Sequence, residues 1–440
     1  MLKLSVSGLR GIAGADLSPE LVVRYVRAFS VWAGPGEYIL ARDTRLHGPA
    51  FYHLAAGTLL AMGRHLVHLD VVPTPTALLH VRKRGSAGGI IITASHNPAE
   101  WNALKLAKRG GVFPLAEEVG EIAELAERAH EPAPHDSFGR EERDTDPLLP
   151  HLEAVLSSRF TEMLDGTRVA VDAVNGAGYL ALPRLLEEMG AEVHRINCEG
   201  SGVFTHPPEP KREHLPELNA VLAEGKAELG LACDPDADRL LVGVGGRGLL
   251  SEEHTLPLVA WAMLSENPGT VITNFSSSMM VEHVARRFGS RVVRVPVGES
   301  YLFEAMEREK AVLAGEGGGG IIIPEINPTR DALAAAGVIA SLAARGEIAD
   351  ALSSIPSFSM VKLRFPGEDE EDVARKMARV RELVERLWPG LEKDHSDGVY
   401  LRGEDWWVHT RPSNTEPIIR LYAEGDCEKE LEEIRRVLVG

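Results

Sequence analysis

One pattern constrains this chain more than any other: the same order of elements occurs three times. In each copy an apolar strand runs into a loop of polar or small residues, a helix follows, then a glycine, then a second apolar strand. The first copy runs from Tyr38-Ile-Leu-Ala41 through Arg42-Asp-Thr-Arg45 and a helix to Gly63, then Leu66-Val-His-Leu69. The second runs from Val169-Ala-Val171 through Asp172 and Asn175-Gly-Ala-Gly178 to Gly190 and Val193. The third runs from Val271-Ile-Thr273 through Asn274-Phe-Ser-Ser-Ser278 to Gly289 and Val292-Val-Arg-Val295. Strand, crossover helix and strand at this length make α/β units with parallel strands, and glycine after each helix is the expected C-terminal stop.

Each copy continues into a further apolar strand that ends in an unusual loop. Gly89-Ile-Ile-Ile92 leads to Thr93-Ala-Ser-His-Asn-Pro98, Leu229-Gly-Leu-Ala-Cys233 to Asp234-Pro-Asp-Ala-Asp-Arg239, and Ala311-Val-Leu-Ala314 to Gly315-Glu-Gly-Gly-Gly-Gly320. Ligands of α/β sheets gather outside the carboxyl ends of strands, so three similar domains should point one loop each at a shared cleft. After about Ile355 the pattern changes. A strand near Val361-Lys-Leu-Arg364 precedes a helix that opens in an acidic run, which suits the helix dipole and needs no functional reading. A strand Trp406-Trp-Val-His409, the loop Arg411-Pro-Ser-Asn-Thr-Glu-Pro417, another strand and a last helix from Cys427 complete a small α+β unit. The expected fold class is α/β: three similar α/β domains with mixed sheets plus a smaller C-terminal α+β domain, with boundaries at 1–146, 147–250, 251–354 and 355–440. The proline-rich, charged stretch 132–150 suits a linker.

Composition narrows the function. A formal net charge of −18 argues against nucleic acid, which needs a basic footprint, but leaves room for a locally positive site that binds a small anion. Cys198, Cys233 and Cys427 are odd in number and far apart, so neither a disulfide framework nor a zinc site is indicated and a reducing cytoplasm fits. The longest small-apolar run, 333–344, is too short to span a bilayer and reads as a buried helix. The chain has no glutamine, which fits a thermophilic source and plain codon bias equally well.

Asp234, Asp236 and Asp238 alternate after a buried strand. Such carboxylates repel one another unless a cation sits among them, and oxygen-only ligands suit magnesium, manganese or calcium. An EF-hand is excluded, because Arg239 and Gly245 stand where glycine and glutamate are required. Ser95 sits between a buried strand and Pro98, beside His96, with Lys105 downstream and Arg10 among glycines near the start. Alone, a serine there is a turn or a helix cap. Arg411, Ser413, Asn414 and Thr415 share a loop whose arginine, hydroxyls and backbone N–H groups suit phosphate, or a simple turn. The glycines 317–320 make no nucleotide loop, since no G-x-x-x-x-G-K-[ST] pattern occurs.

Together these four loops, in this order, resemble those of the α-D-phosphohexomutase family, which includes phosphoglucomutase, phosphomannomutase and phosphoglucosamine mutase, and the resemblance covers essentially the whole chain. It implies four domains around a central cleft. Ser95 would be the phosphorylated serine, and Ser95 with Asp234, Asp236 and Asp238 would bind one Mg²⁺. Arg10, Lys105 and Arg239 would offset charge on the transferring group. Glu316 and Gly318 would meet the sugar, and Arg411, Ser413, Asn414, Thr415 and Arg420 the phosphate that is not reacting. The implied reaction carries the phosphoryl group of phosphoserine 95 to a hexose monophosphate, gives a hexose 1,6-bisphosphate, and returns the other phosphate to Ser95. The expected substrate is glucosamine phosphate, with mannose or glucose phosphate as alternatives, for a monomer or homodimer that uses neither nucleic acid nor membrane.

One departure stands out. Much of the family reads Gly-Glu-x-Ser-Gly-His in the third loop, whereas positions 318–320 here are all glycine, as in the archaeal-type branch. That leaves no histidine at 320 to take a proton, and His96 is the nearest candidate in sequence. Two rival readings, a sugar-phosphate phosphatase and a non-catalytic binding protein, fit less well with the 411–417 loop and with the retention of Ser95 and the aspartates.

Overall fold

The computed structural model describes residues 3–5, 8–413 and 417–439. Its first three sheets share one four-stranded unit. In the first, Glu37–Arg42 lies between His65–Val71 and Gly88–Ile92, parallel to both, and Trp101–Lys108 pairs antiparallel with Gly88–Ile92. Arg168–Asp172, Glu192–Ile196, Leu229–Cys233 and Leu240–Val244 repeat that arrangement. So do Thr270–Asn274, Arg291–Val295, Leu313–Glu316 and Gly320–Ile322. The two inner parallel strands of each unit are the near-continuous buried runs that a parallel sheet covered on both faces requires, whereas the edge strands Glu192–Ile196 and Arg291–Val295 are largely exposed or half-buried. Because the last strand of each unit reverses direction, its hairpin turn falls at the carboxyl end of the parallel strands. Those turns are the three loops singled out by sequence.

The strands Lys3–Ser5 and Gly8–Ile12 add to the first sheet, and the latter pairs with Trp101–Lys108 so that Arg10 lies opposite Ala103. The stretch expected as a linker holds a further edge strand, Glu141–Arg143, parallel to His65–Val71. Its three side chains are charged and exposed, which blunts a sheet edge but hides the strand from any apolar pattern. The C-terminal unit is a five-stranded antiparallel sheet in which Met360–Pro366, Ile418–Gly425, Trp406–Pro412, Val399–Arg402 and Glu392–Asp394 lie side by side. Glu392–Asp394 is too short and polar to be read from sequence, and Val399–Arg402, though apolar, is only four residues long. The helix Glu370–Leu387 does begin in the acidic run, with Asp369 as its cap.

The main core runs through the first three units and centres on the helix Ala332–Ala344, whose residues from Ala332 to Leu342 are all buried. Small side chains bring its neighbours close: a Cβ on Gly337 would lie 2.7 Å from Val155 Cγ1. No single described helix is long and apolar enough to cross a membrane.

Candidate active site

In each unit the loop after the first strand braces the chemical loop after the third. In the first, Asp43 accepts a hydrogen bond from Thr93 Oγ1 at 2.7 Å and pairs with Arg45 Nε at 3.0 Å. Arg45 then donates to four carbonyls of the serine loop: Ser95 and Asn97 at 2.7 Å, Pro98 at 2.6 Å and Trp101 at 3.0 Å. Phe204 of the second unit covers its guanidinium at 5.0 Å. In the second unit Ala177 N donates to Pro235 O at 2.6 Å, and Gly176 is required there, since a Cβ would lie 2.5 Å from Pro235 Cα. In the third, Asn274 Nδ2 donates to Glu316 Oε2 at 3.2 Å, and Ser277 Oγ accepts from Gly317 N at 3.1 Å.

Held this way, Ser95 is buried with φ at 50°, a left-handed conformation that costs roughly 1–3 kcal/mol for an L-residue and is kept only where surroundings enforce it. Its Oγ donates to Asp234 Oδ2 at 2.7 Å and lies 3.2 Å from His96 Nδ1. Arg10 reaches the same loop, donating to Asn97 Oδ1 at 2.6 Å. His96, the candidate to take a proton, does not keep the ordinary affinity of an imidazole for one. Burial, reinforced by Arg239, Arg10 and Arg330, pushes its imidazole well below the ordinary value and keeps it neutral.

One carboxylate oxygen each of Asp234, Asp236 and Asp238 can be chosen so that all three lie within 4.8 Å of one another. Ala237, also left-handed at φ 51°, folds the loop back so that alternate carboxylates face inward. Burial, with Asp238 and Asp236 adding to it, pushes the Asp234 carboxyl well above the usual carboxylate range. Lys105 Nζ lies 2.6 Å from Asp236 Oδ2 and 3.4 Å from Asp238 Oδ2; burial opposes its charge, and the two aspartates outweigh burial. Thr74 Oγ1 donates to Asp236 Oδ2 at 2.6 Å. Asp236 Oδ1 and Asp238 Oδ1 are buried and accept no hydrogen bond. Clustered, desolvated oxygen donors with open lone pairs fit a hard divalent cation.

Across from this cluster a cleft of about 380 Å³ is lined by Arg239, Glu316, Gly318, Lys362, Arg411 and Arg420, among others. Arg364, Arg420 and Arg411 stand opposite one another on three neighbouring strands. Like charges so paired destabilise a sheet unless an anion sits among them. Arg411 is met by Asp397 at 2.9 Å, while Arg364 and Arg420 form no ion pair among the described residues. Ser413 N donates to Ile418 O at 2.9 Å and closes the hairpin; Asn414 and Thr415 lie outside the described residues. The structure therefore gathers Ser95, His96, Arg10, Lys105 and the aspartates at one point, and Arg239, Glu316, Gly318, Arg411 and Arg420 around the adjoining cleft.

Sequence reading missed Arg45, Thr74, Arg330, Lys362 and Arg364. Arg364 carried a readable signal, standing at the same alternation as Lys362 in an otherwise apolar strand. Arg45 reaches the serine loop, and Thr74 the aspartate loop, across 50 or more positions, which local spacing cannot show.

Four family models match in order. They describe domains I, II and III (alpha/beta/alpha) and the C-terminal domain of phosphoglucomutase/phosphomannomutase, over residues 1–133, 149–247, 251–357 and 360–439. The chain is 35% identical to a probable phosphoglucosamine mutase of Methanopyrus kandleri, with 98% of this chain and 95% of that protein covered. It is 32% identical to a phosphoglucomutase/phosphomannomutase of Thermococcus kodakarensis, over 97% and 95%. The crystal structure of a phosphoglucomutase/phosphomannomutase family protein from Burkholderia thailandensis shares the fold, with a TM-score of 0.85 over 99% of this chain and 98% of that one at 24% identity. With four matching domains, and a serine loop and aspartate loop that meet as the four motifs together led one to expect, the chain belongs to the phosphoglucomutase/phosphomannomutase family, the α-D-phosphohexomutases.

Proposed function

We propose that the chain is a phosphohexomutase that interconverts the 6- and 1-phosphates of a hexose, glucosamine phosphate first, through phosphoserine 95 and a hexose 1,6-bisphosphate. The observation that carries this reading is the approach of Ser95 Oγ to within 2.7 Å of Asp234 Oδ2, across two units, beside a cleft that ends in a row of arginines. Units 1–146, 147–250, 251–354 and 355–440 then supply the serine, the cation ligands, the sugar carboxylate and the phosphate grip in turn.

Asp234, Asp236 and Asp238, with Ser95, would hold one Mg²⁺, which when bound neutralises charge on the phosphoryl oxygens. The chain's own groups do the rest. Asp234 Oδ2 holds the Ser95 hydroxyl proton and so aims the Oγ lone pairs outward. Neutral His96 orients the same Oγ from the other side, an orienting role in place of proton acceptance. Lys105, Arg10 and Arg239 converge as fixed positive charges on the transferring group, the largest contribution in a reaction dominated by positioning and electrostatics. Glu316 meets the sugar hydroxyls, while Arg411, Arg420 and Arg364, with the 413–415 loop, grip the distal phosphate. The names of the relatives support glucosamine phosphate alongside mannose and glucose phosphates.

Phosphorus NMR of glucosamine 6-phosphate incubated with the protein, Mg²⁺ and catalytic glucosamine 1,6-bisphosphate should show the 1-phosphate accumulating. Release of inorganic phosphate in its place, or no turnover with any of the three sugars, overturns the reading.

Two variants separate the parts of the site. Asp236→Asn should weaken Mg²⁺ binding by more than about 10-fold, since a charged ligand is lost while the side chain keeps its shape. Calorimetric titration with Mg²⁺ checks this, and an unchanged isotherm would remove Asp236 from the ligand set. Arg411→Ala should raise KM by about 10-fold or more through loss of a charge-assisted phosphate contact. Its kcat should change far less, because the distal phosphate is held alike in both isomers; a fall in kcat at constant KM would refute that role.

A further inference from the structure

Gly320 poses a question that backbone conformation does not answer. Its neighbour Gly319 is left-handed, at φ +82°, and so needs glycine. Gly320 is not left-handed, and its place in the short strand Gly320–Ile322 would admit any residue by conformation. What it lacks is space. A Cβ there would lie 2.5 Å from Arg330 Cδ, 3.2 Å from Arg330 Cγ and 3.3 Å from Glu316 Oε1.

Cδ lies in the middle of the arginine stem, and both ends of that stem are fixed. At the far end Nη1 donates to Glu316 Oε1 at 2.6 Å and Nη2 to Asp238 Oδ2 at 2.8 Å, while Nε lies 3.0 Å from Glu299 Oε2. At the near end the next residue, Asp331, donates its N–H to Ile321 O at 2.8 Å. Its side chain caps the helix Ala332–Ala344 and meets His151 Nε2 at 2.7 Å. The side chain cannot swing aside without breaking one of these ties. A single guanidinium thus joins a carboxylate of the cleft to a carboxylate of the cation cluster.

We propose that Arg330 is a positioning residue that replaces a side chain at position 320: its stem fills that space, and its guanidinium sets Glu316 against the sugar by anchoring it to Asp238. The proposal rests on the mutase reading for the role of Glu316, and it makes Gly320 and Arg330 an interdependent pair. It also fixes two opposite effects of losing the arginine. Glu316 loses its main anchor, so sugar phosphate binds more weakly. Asp238 loses a cation that competes for its charge, so a divalent cation binds more tightly. A residue that merely held the fold together would weaken both.

The test is a cycle of wild type, Gly320→Ala, Arg330→Ala and the double variant, with Arg330→Lys as a milder companion should Arg330→Ala fold poorly. Each protein is read by KM for sugar phosphate, by calorimetry with Mg²⁺ alone and by thermal melting. Arg330→Ala should raise KM by about 10- to 100-fold, the scale of a misplacement of about 1 Å. Its Mg²⁺ affinity should rise by roughly three- to tenfold as a nearby like charge is removed. Arg330→Lys reaches fewer of the three carboxylates and should show the KM effect without the gain in Mg²⁺ affinity. Gly320→Ala should raise KM and lower the melting temperature in the wild-type background, yet change neither appreciably once Arg330 is alanine. Equal costs of Gly320→Ala in both backgrounds would overturn the proposal, as would Mg²⁺ binding that weakens in step with KM. Failure of wild type to turn over any hexose phosphate would defeat the mutase reading instead, and the melting cycle and the Mg²⁺ titration would still decide the pairing of Gly320 with Arg330.

Discussion

Ser95→Ala is expected to lose mutase activity by a factor on the order of 10⁴ or more, because no other group can carry the phosphoryl between the two half-reactions. The fold should survive. Alanine meets the same left-handed φ of 50° that serine already bears, and the loop is held through the carbonyls of Ser95, Asn97, Pro98 and Trp101, none of which the substitution removes. Asp234 Oδ2 does lose its hydroxyl donor and the ion would lose the Ser95 oxygen, but the three clustered carboxylates of Asp234, Asp236 and Asp238 remain. Mg²⁺ binding should therefore persist in the inactive protein. Intact-protein mass should show covalent phosphate on wild type after exposure to hexose 1,6-bisphosphate and none on the variant. Activity within ~10-fold of wild type would remove Ser95 from the reaction.

Arg45→Met should produce the largest loss of stability of any single change near the site. The guanidinium is the sole ion-pair partner of the fully buried Asp43 among the described residues, and four carbonyls of the serine loop converge on it. Methionine fills much of the volume but leaves Asp43 as an uncompensated buried charge, a defect that costs about 3–5 kcal/mol. For a unit of this size that corresponds to a fall in melting temperature of roughly 6–20 °C. Turnover should drop with it, by about 10²-fold, since the loop that carries Ser95 is no longer held in place. An unchanged melting curve with full activity would show that Asp43 and the Thr93–Pro98 loop are held by other means.

These two residues mark the difference between what could be read and what could not. Ser95 was legible because its chemistry is local: a hydroxyl at the end of a buried strand, in a loop with His96 and Pro98. The aspartates were legible for the same reason, since three carboxylates spaced two apart at the end of a buried strand need a cation, although a turn through left-handed Ala237, and not an extended segment, brings them together. Arg45 sits 50 residues from the loop it holds, and Arg330 lies 92 residues from Asp238 and 14 from Glu316. An arginine in a turn carries no mark of the carbonyls or carboxylates it will meet.

The three α/β units and their parallel strands followed from hydrophobic runs, because an inner strand buried on both faces has to be apolar throughout and a parallel crossover has to contain a helix. The same logic fails for Glu141–Arg143, where an edge strand needs only backbone hydrogen bonds and its side chains are free to be charged. Gly320 shows the limit most plainly. Its sequence suggests a flexible glycine run, and its departure from the family motif suggests only that something is missing. Packing supplies the answer, since Arg330 fills the space from another turn of the chain. Periodicity and local chemistry were enough to name the units and their loops. Which charged groups would share one desolvated point was settled by contacts between residues far apart in the chain, and no local pattern encodes those.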